Sequence, residues 1–97
     1  MTINKTLENG VLNVQLEGRL DTTTAPELET SLSDLSGVEL LTFDFAELQY
    51  ISSAGLRVLL STHKVMSKQG KMIIKNVNDT IMEVFEITGF AEVLNVE

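Results

Sequence analysis

The stretch Tyr50-Ile51-Ser52-Ser53-Ala54-Gly55-Leu56 joins two kinds of periodicity, and that decides the fold class. Upstream, Leu40-Leu41-Thr42-Phe43-Asp44-Phe45 is too continuously apolar for a half-exposed strand. It predicts a central strand over Val38–Phe45, covered on both sides. Downstream, apolar residues recur at helical spacing from about Ser53 to Gln69. Two hydroxyls and a glycine therefore stand where a helix begins. A helix start leaves backbone N–H groups unpaired and carries a partial positive charge, so it accepts a negative group well. A phosphate there would leave the fold intact while changing the surface that a partner meets.

Within that helix, Val58, Leu59, Thr62, Val65 and Met66 share one arc at about 100° per residue and form the expected core face. Arg57, Ser61, Lys64 and Lys68 lie opposite, and Leu56, Leu60 and His63 fall on the border. The opposite side reads first as a solvated face. In an acidic protein, a basic stripe on this helix also suits acidic groups on a partner. Gly70 ends the helix and Lys71-Met72-Ile73-Ile74-Lys75 follows as a strand. Asn78-Asp79-Thr80 caps a third helix that carries Ile81, Val84 and Phe85 inward and stops before Gly89. Leu94-Asn95-Val96 suggests a short last strand.

Toward the N-terminus, Leu12, Val14 and Leu16 alternate within Val11–Glu17, the mark of a half-buried strand. Asn9-Gly10 separates it from Ile3–Glu8 and predicts a type I′ hairpin, which needs two residues with positive φ. Thr24 and Glu27 have capping-box spacing around Pro26. Ala25, Leu28, Leu32 and Leu35 continue at helical spacing, and Gly37 is placed to stop that helix. The order is β-β-α-β-α-β-α-(β). It predicts an α/β fold: a mixed, mostly parallel sheet of four to five strands with an N-terminal hairpin and three main helices. Residues 1–97 are expected to form one domain.

At 43% hydrophobic and 22% charged, the composition is that of a soluble globular protein. A formal charge of −7 argues against nucleic acid and against an anionic membrane as partners. No apolar run reaches the roughly 20 residues of a membrane span, and Met1-Thr2-Ile3-Asn4-Lys5 does not open a signal peptide. The chain has no cysteine, which removes disulfides and thiolate chemistry and fits a cytoplasmic location.

The residues do not assemble a catalyst. A serine nucleophile needs a base within about 3 Å. His63, the only histidine, follows Ser53 by ten residues, roughly 15 Å along one helix. No phosphate-binding glycine loop or dinucleotide fingerprint is present, and one histidine offers little to a metal. Asp44 stands alone in its strand, unlike the clustered carboxylates of a phospho-aspartate receiver. No cofactor and no metal are expected.

Three segments, in order and on matching elements, resemble the STAS domain of bacterial anti-sigma factor antagonists. They are Gly18-Arg19-Leu20-Asp21, Ile51-Ser52-Ser53-Ala54-Gly55-Leu56 and Phe85-Glu86-Ile87-Thr88-Gly89-Phe90. The resemblance implies a STAS fold and a partner switch. In that family an anti-sigma factor that is also a serine kinase phosphorylates a serine at the start of the second helix. The unphosphorylated domain binds the anti-sigma factor and frees a sigma factor, and a serine phosphatase resets the system. Alignment on Gly55-Leu56 puts the phosphoacceptor at Ser53. The preceding position, often aspartate in the family, is Ser52 here and is the second candidate. The implied contact surface comprises Asp21, Ser52, Ser53, Ala54, Gly55, Leu56, Arg57 and Leu60. Other roles stand beside these: Ser53 simply capping the helix, or Ser52 capping it while Ser53 projects outward, Gly55 permitting close packing, Asp21 forming a turn, and Leu56 and Leu60 packing under a neighbouring helix. A monomer is expected when free. The alternative reading is a constitutive STAS scaffold or transporter-associated subunit that docks without phosphorylation.

Overall fold

The computed structural model describes residues 1–97. Strands β1 (Thr2–Glu8) and β2 (Val11–Leu20) form an antiparallel hairpin. Asn9 and Gly10 turn it with φ of 52° and 80°, as a type I′ turn requires. Helix α1 (Ala25–Ser31), strand β3 (Leu40–Ile51), helix α2 (Ser53–Met66), strand β4 (Lys71–Lys75), helix α3 (Asp79–Thr88) and a short helix α4 (Phe90–Val93) follow. The sheet order is β1-β2-β3-β4, with β2, β3 and β4 parallel. Val96 adds a parallel bridge to Ile74, held by Ile74 N–H donating to Asn95 O at 2.9 Å and Glu97 N–H donating to Ile74 O at 2.8 Å. The expected last strand is thus one bridge long, and α4 is an element that the sequence did not signal.

The sheet is covered on one face. Leu12, Val14 and Leu16 of β2, Leu41, Phe43 and Phe45 of β3, and Met72 and Ile74 of β4 are buried in one cluster with Leu28, Leu59, Met66, Ile81 and Phe85 from the helices. Their alternate neighbours, Asn13, Gln15, Glu17, Lys71 and Lys75, are exposed. The expectation of a central strand covered on both sides is therefore corrected. The reason is topological. The steps β2 to β3 and β3 to β4 run the same way across the sheet, and right-handed crossovers in one direction leave their helices on one face. Thr42, 8% exposed, and half-buried Leu40 and Asp44 are on the bare face, which is why the strand looked apolar on both sides.

β3 is longer than expected. Its register against β2 slips twice, between Gln15 and Glu17 and between Gly18 and Arg19, each time with an extra residue on β3. These bulges change the inward spacing from two to three, giving Phe45, Leu48 and Ile51. They carry the strand to the joint with α2. The capping box at Thr24 does not form. The Thr24 hydroxyl accepts from Asp21 N–H and donates to Arg19 O, both at 2.8 Å. Helix α1 ends at Ser31, before Gly37, and buried Leu35 and Val38 lie in the connection to β3. Helix α2 ends at Met66 rather than Gln69. Val65, expected inward, is 46% exposed because α1 stops short of covering it. Half-buried Val84 likewise stands outside the full core.

Asn78 caps α3 as expected: its Oδ1 accepts from Ile81 N–H at 2.8 Å while its Nδ2 donates to Leu48 O at 3.0 Å. Both bonds vanish in Asn78→Ala. Chemical denaturation of that variant should show a loss of about 1 to 2 kcal/mol.

Candidate functional site

The site is built where β2 and β3 end side by side. Leu20 pairs with Ile51, and Ser52 N–H donates to Leu20 O at 2.9 Å, so the Asp21 loop and the start of α2 are fastened together. Asp21 is the hub of its loop. Its Oδ1 accepts from Thr23 Oγ1 at 2.7 Å and from Thr23 N–H at 3.0 Å and Thr24 N–H at 3.2 Å. The Thr23 hydroxyl first, then the backbone donors, hold its carboxyl below the usual 3.8. Arg19 Nε approaches Asp21 Oδ2 at 3.6 Å, and the Arg19 guanidinium stacks 4.2 Å over the Tyr50 ring. The turn-forming reading of Asp21 is therefore realised beside the position expected for a partner surface.

The two candidate hydroxyls differ sharply. Ser53 is exposed on the first turn of α2. The Ser52 hydroxyl oxygen is buried and has no hydrogen-bond partner. Ser52 occupies the N-cap position, yet its side chain makes no cap bond. The capping expectation is thus corrected for both serines: Ser53 is inside the first turn and projects outward rather than capping, and Ser52, at the cap position, makes no cap bond. As second choice for phosphorylation, Ser52 is sealed from a modifying enzyme in this conformation. A genuine cap replaced by alanine loses about 1 kcal/mol. A buried, unpartnered hydroxyl costs free energy instead, so Ser52→Ala should hold or raise stability by up to about 1 kcal/mol. Thermal and urea denaturation read the sign directly.

The first helical bond of α2 is Leu56 N–H to Ser52 O, at 3.0 Å. The amides of Ser53, Ala54 and Gly55 precede it and have no helical partner, and the first turn carries no acidic residue. Gly55 is buried against β2: a Cβ there would come within 2.6 Å of Leu20 Cγ and 3.0 Å of Ile51 Cγ1. Its role is close packing, and it offers little surface to a partner. Leu56 is similar, at 5% exposed, with only an edge reaching the surface.

That edge belongs to an apolar groove of about 280 Å³ lined by Ser53, Leu56, Arg57, Leu60, Thr88 and Phe90. Four of these are residues of the expected contact surface. Thr88 and Phe90 come from the α3–α4 corner, where Gly89 turns the chain with φ of 81°. The signal for Phe90 was present in the sequence as an aromatic residue just past a helix-stopping glycine. On the other side of α2, Ala54 and Arg57 share a shallow depression of about 180 Å³ with Thr22, Ala25 and Pro26. The structure thus brings Ser53, Arg57 and Leu60 to one groove and Ala54 to the depression across Arg57, with Asp21 anchored through Leu20 behind them. His63 lies on α2 with Ser53, ten residues on, so the two side chains form no dyad. No group of three or more carboxylates and histidines converges as a metal would need. No helix is long and apolar enough to cross a membrane.

The model of the STAS domain family matches residues 2–97. The chain is 35% identical to BtrV of Bordetella bronchiseptica over 91 residues, covering 91% of this chain and 78% of that protein. It is 30% identical to the anti-sigma-B factor antagonist of Staphylococcus aureus over 99 residues, covering 99% of this chain and 92% of that protein. Among solved structures, the anti-sigma factor antagonist SpoIIAA in its unphosphorylated form superposes with a TM-score of 0.78 at 18% identity, over 99% of this chain and 87% of that one. At that identity the likeness is one of fold.

Proposed function

The chain belongs to the STAS domain family of anti-sigma factor antagonists, and from that premise we propose that it binds an anti-sigma factor when unmodified and is switched off by phosphorylation of Ser53. The observation that carries this reading is the contrast between adjacent hydroxyls. Ser53 stands exposed on an uncapped helix start beside an apolar groove, while the Ser52 oxygen is buried. The relative SpoIIAA has been solved in a phosphorylated form, in Bacillus, as well as an unphosphorylated one. The partners under this reading are an ATP-using anti-sigma factor kinase and a serine phosphatase, in the cytoplasm, with residues 1–97 acting as one domain and carrying no catalysis of their own.

The free amides of Ser53, Ala54 and Gly55 and the helix dipole accommodate the phosphate, so the fold persists in both states. Arg57, one turn on from Ser53, adds a cation within i,i+4 reach. The test is phosphorylation of purified protein by the anti-sigma factor kinase of the same organism with ATP, followed by mass spectrometry. The wild type and Ser52→Ala should take up one phosphate and Ser53→Ala none. Uptake by Ser53→Ala would move the switch to another hydroxyl, and wild-type protein that binds the kinase yet stays unmodified would return the chain to the class of constitutive STAS scaffolds.

A further inference from the structure

An acidic molecule has concentrated its cations in one stretch of the chain. Five of its seven lysines and arginines fall between Arg57 and Lys75, and no aspartate or glutamate lies between Glu47 and Asp79. Arg57, Lys64 and Lys68 are all exposed. At 100° per residue they fall within an arc of about 40° and make a row about 16 Å long on α2 and the turn after it. None has a carboxylate at ion-pair distance, since the one such pair in the structure is Arg19 with Asp21. Beside the row runs a trough of about 420 Å³ between α1 and α2. Leu32, Leu35, Val58 and Val65 line it together with Ser33, Ser61 and Thr62; Val65 is 46% exposed, and the other three apolar residues are buried and reach it only by an edge. Glu29 stands on the α1 wall.

We infer that this row and trough dock a carboxylate-bearing amphipathic helix of the anti-sigma factor, as a contact additional to the groove at Ser53. The inference rests on the antagonist reading above. A trough between two helices accepts the apolar ridge of a third. The unpaired cations on the α2 rim select carboxylates along one side of that helix, and Glu29 repels them from the other rim, which fixes its orientation. The exposed carboxylates of α1 and its following turn, Glu27, Glu29 and Asp34, together with the net charge of −7, disfavour a phosphate-rich surface in the same place.

The test measures affinity for the purified anti-sigma factor at about 50 and about 500 mM NaCl, a range that collapses the screening length. The wild type should bind and weaken with salt. Lys64→Glu/Lys68→Glu should bind at least about tenfold more weakly at low salt and lose most of the salt dependence. Val65→Asp should lose affinity comparably through the trough. All three side chains are at least partly exposed, so the fold should persist with only a small drop in thermal midpoint from carboxylates at the C-terminal end of α2, and Lys64→Gln/Lys68→Gln serves if charge reversal disturbs folding. Binding within twofold of wild type with unchanged salt dependence would overturn the docking row while leaving the antagonist reading intact. Failure of the wild type to bind would remove that reading and this one with it. Binding of the wild type to phosphatidylserine vesicles or duplex DNA, lost on charge reversal while anti-sigma factor binding persists, would assign the row to phosphates and overturn the inference.

Discussion

Ser53→Asp is expected to weaken anti-sigma factor binding by at least about thirtyfold while making the free protein slightly more stable. The two effects share a cause and differ in sign. Ser53 is the first residue of α2, whose opening turn has no acidic side chain and no side-chain cap. A carboxylate there meets the free amides and the positive end of the dipole, which is worth about 0.3–1 kcal/mol. At the interface the same charge faces the partner, and a single partner carboxylate opposite it suffices for the effect. Two unit charges about 4 Å apart interact by roughly 4 kcal/mol at an effective dielectric near 20. Half of that repulsion already exceeds the roughly 1.4 kcal/mol that makes a tenfold change. Ser53→Ala removes only a hydroxyl and should bind like the wild type. Calorimetric titration of the three proteins, with a thermal melt of each, separates a switched surface from a damaged fold. Equal affinity of the aspartate and alanine variants would end the phosphoswitch reading.

The largest effect on stability is expected at Gly70, far from the switch. A Cβ at this position would lie 1.9 Å from Glu39 O and 2.7 Å from Glu39 C. Both are backbone atoms, so no side chain can rotate aside. The same turn is held by Gly70 N–H donating to Met66 O at 2.7 Å and Lys71 N–H donating to Glu39 O at 3.0 Å. Beside it, Gln69 Nε2 donates to Leu35 O at 2.6 Å and Val38 O at 2.8 Å, stitching the α2–β4 turn to the start of β3. Relieving the clash means breaking some of these bonds or shifting β4 against β3. Overpacking that forces backbone movement costs about 1–3 kcal/mol, and Gly70→Ala should reach or exceed the top of that range. Against a total of about 5–15 kcal/mol, that is a large fraction. Urea denaturation gives the number, and a loss under about 1 kcal/mol would show that the turn yields more easily than its geometry suggests.

Local signals in the sequence carried most of the fold. Asn9-Gly10 demanded positive φ twice, Asn78 had the geometry of a cap, and Gly89 ended a helix with an inward Phe85; each works within a few residues of itself. What escaped depended on distant parts of the chain. Phe45, Leu48 and Ile51 point inward at a spacing of three, a period that belongs to no plain strand, because the bulges form only against β2. Leu40 and Thr42 suggested a second covered face, although crossover direction decided coverage. Val65 kept the helical pattern but lost its neighbour when α1 ended early. At the site, Ser53 and its apolar companions were legible as a helix start. The burial of the Ser52 oxygen was not, since it follows from the fastening of Ser52 to Leu20 across two strands.

The uncovered face of the sheet has a practical consequence. Asn13, exposed on β2, points away from every helix and from the surface of α2. A fluorophore or a surface-coupling thiol introduced at Asn13→Cys, in a chain with no other cysteine, would sit behind the sheet. Such a probe can report docking and modification from the rear without occupying the ground that a partner needs.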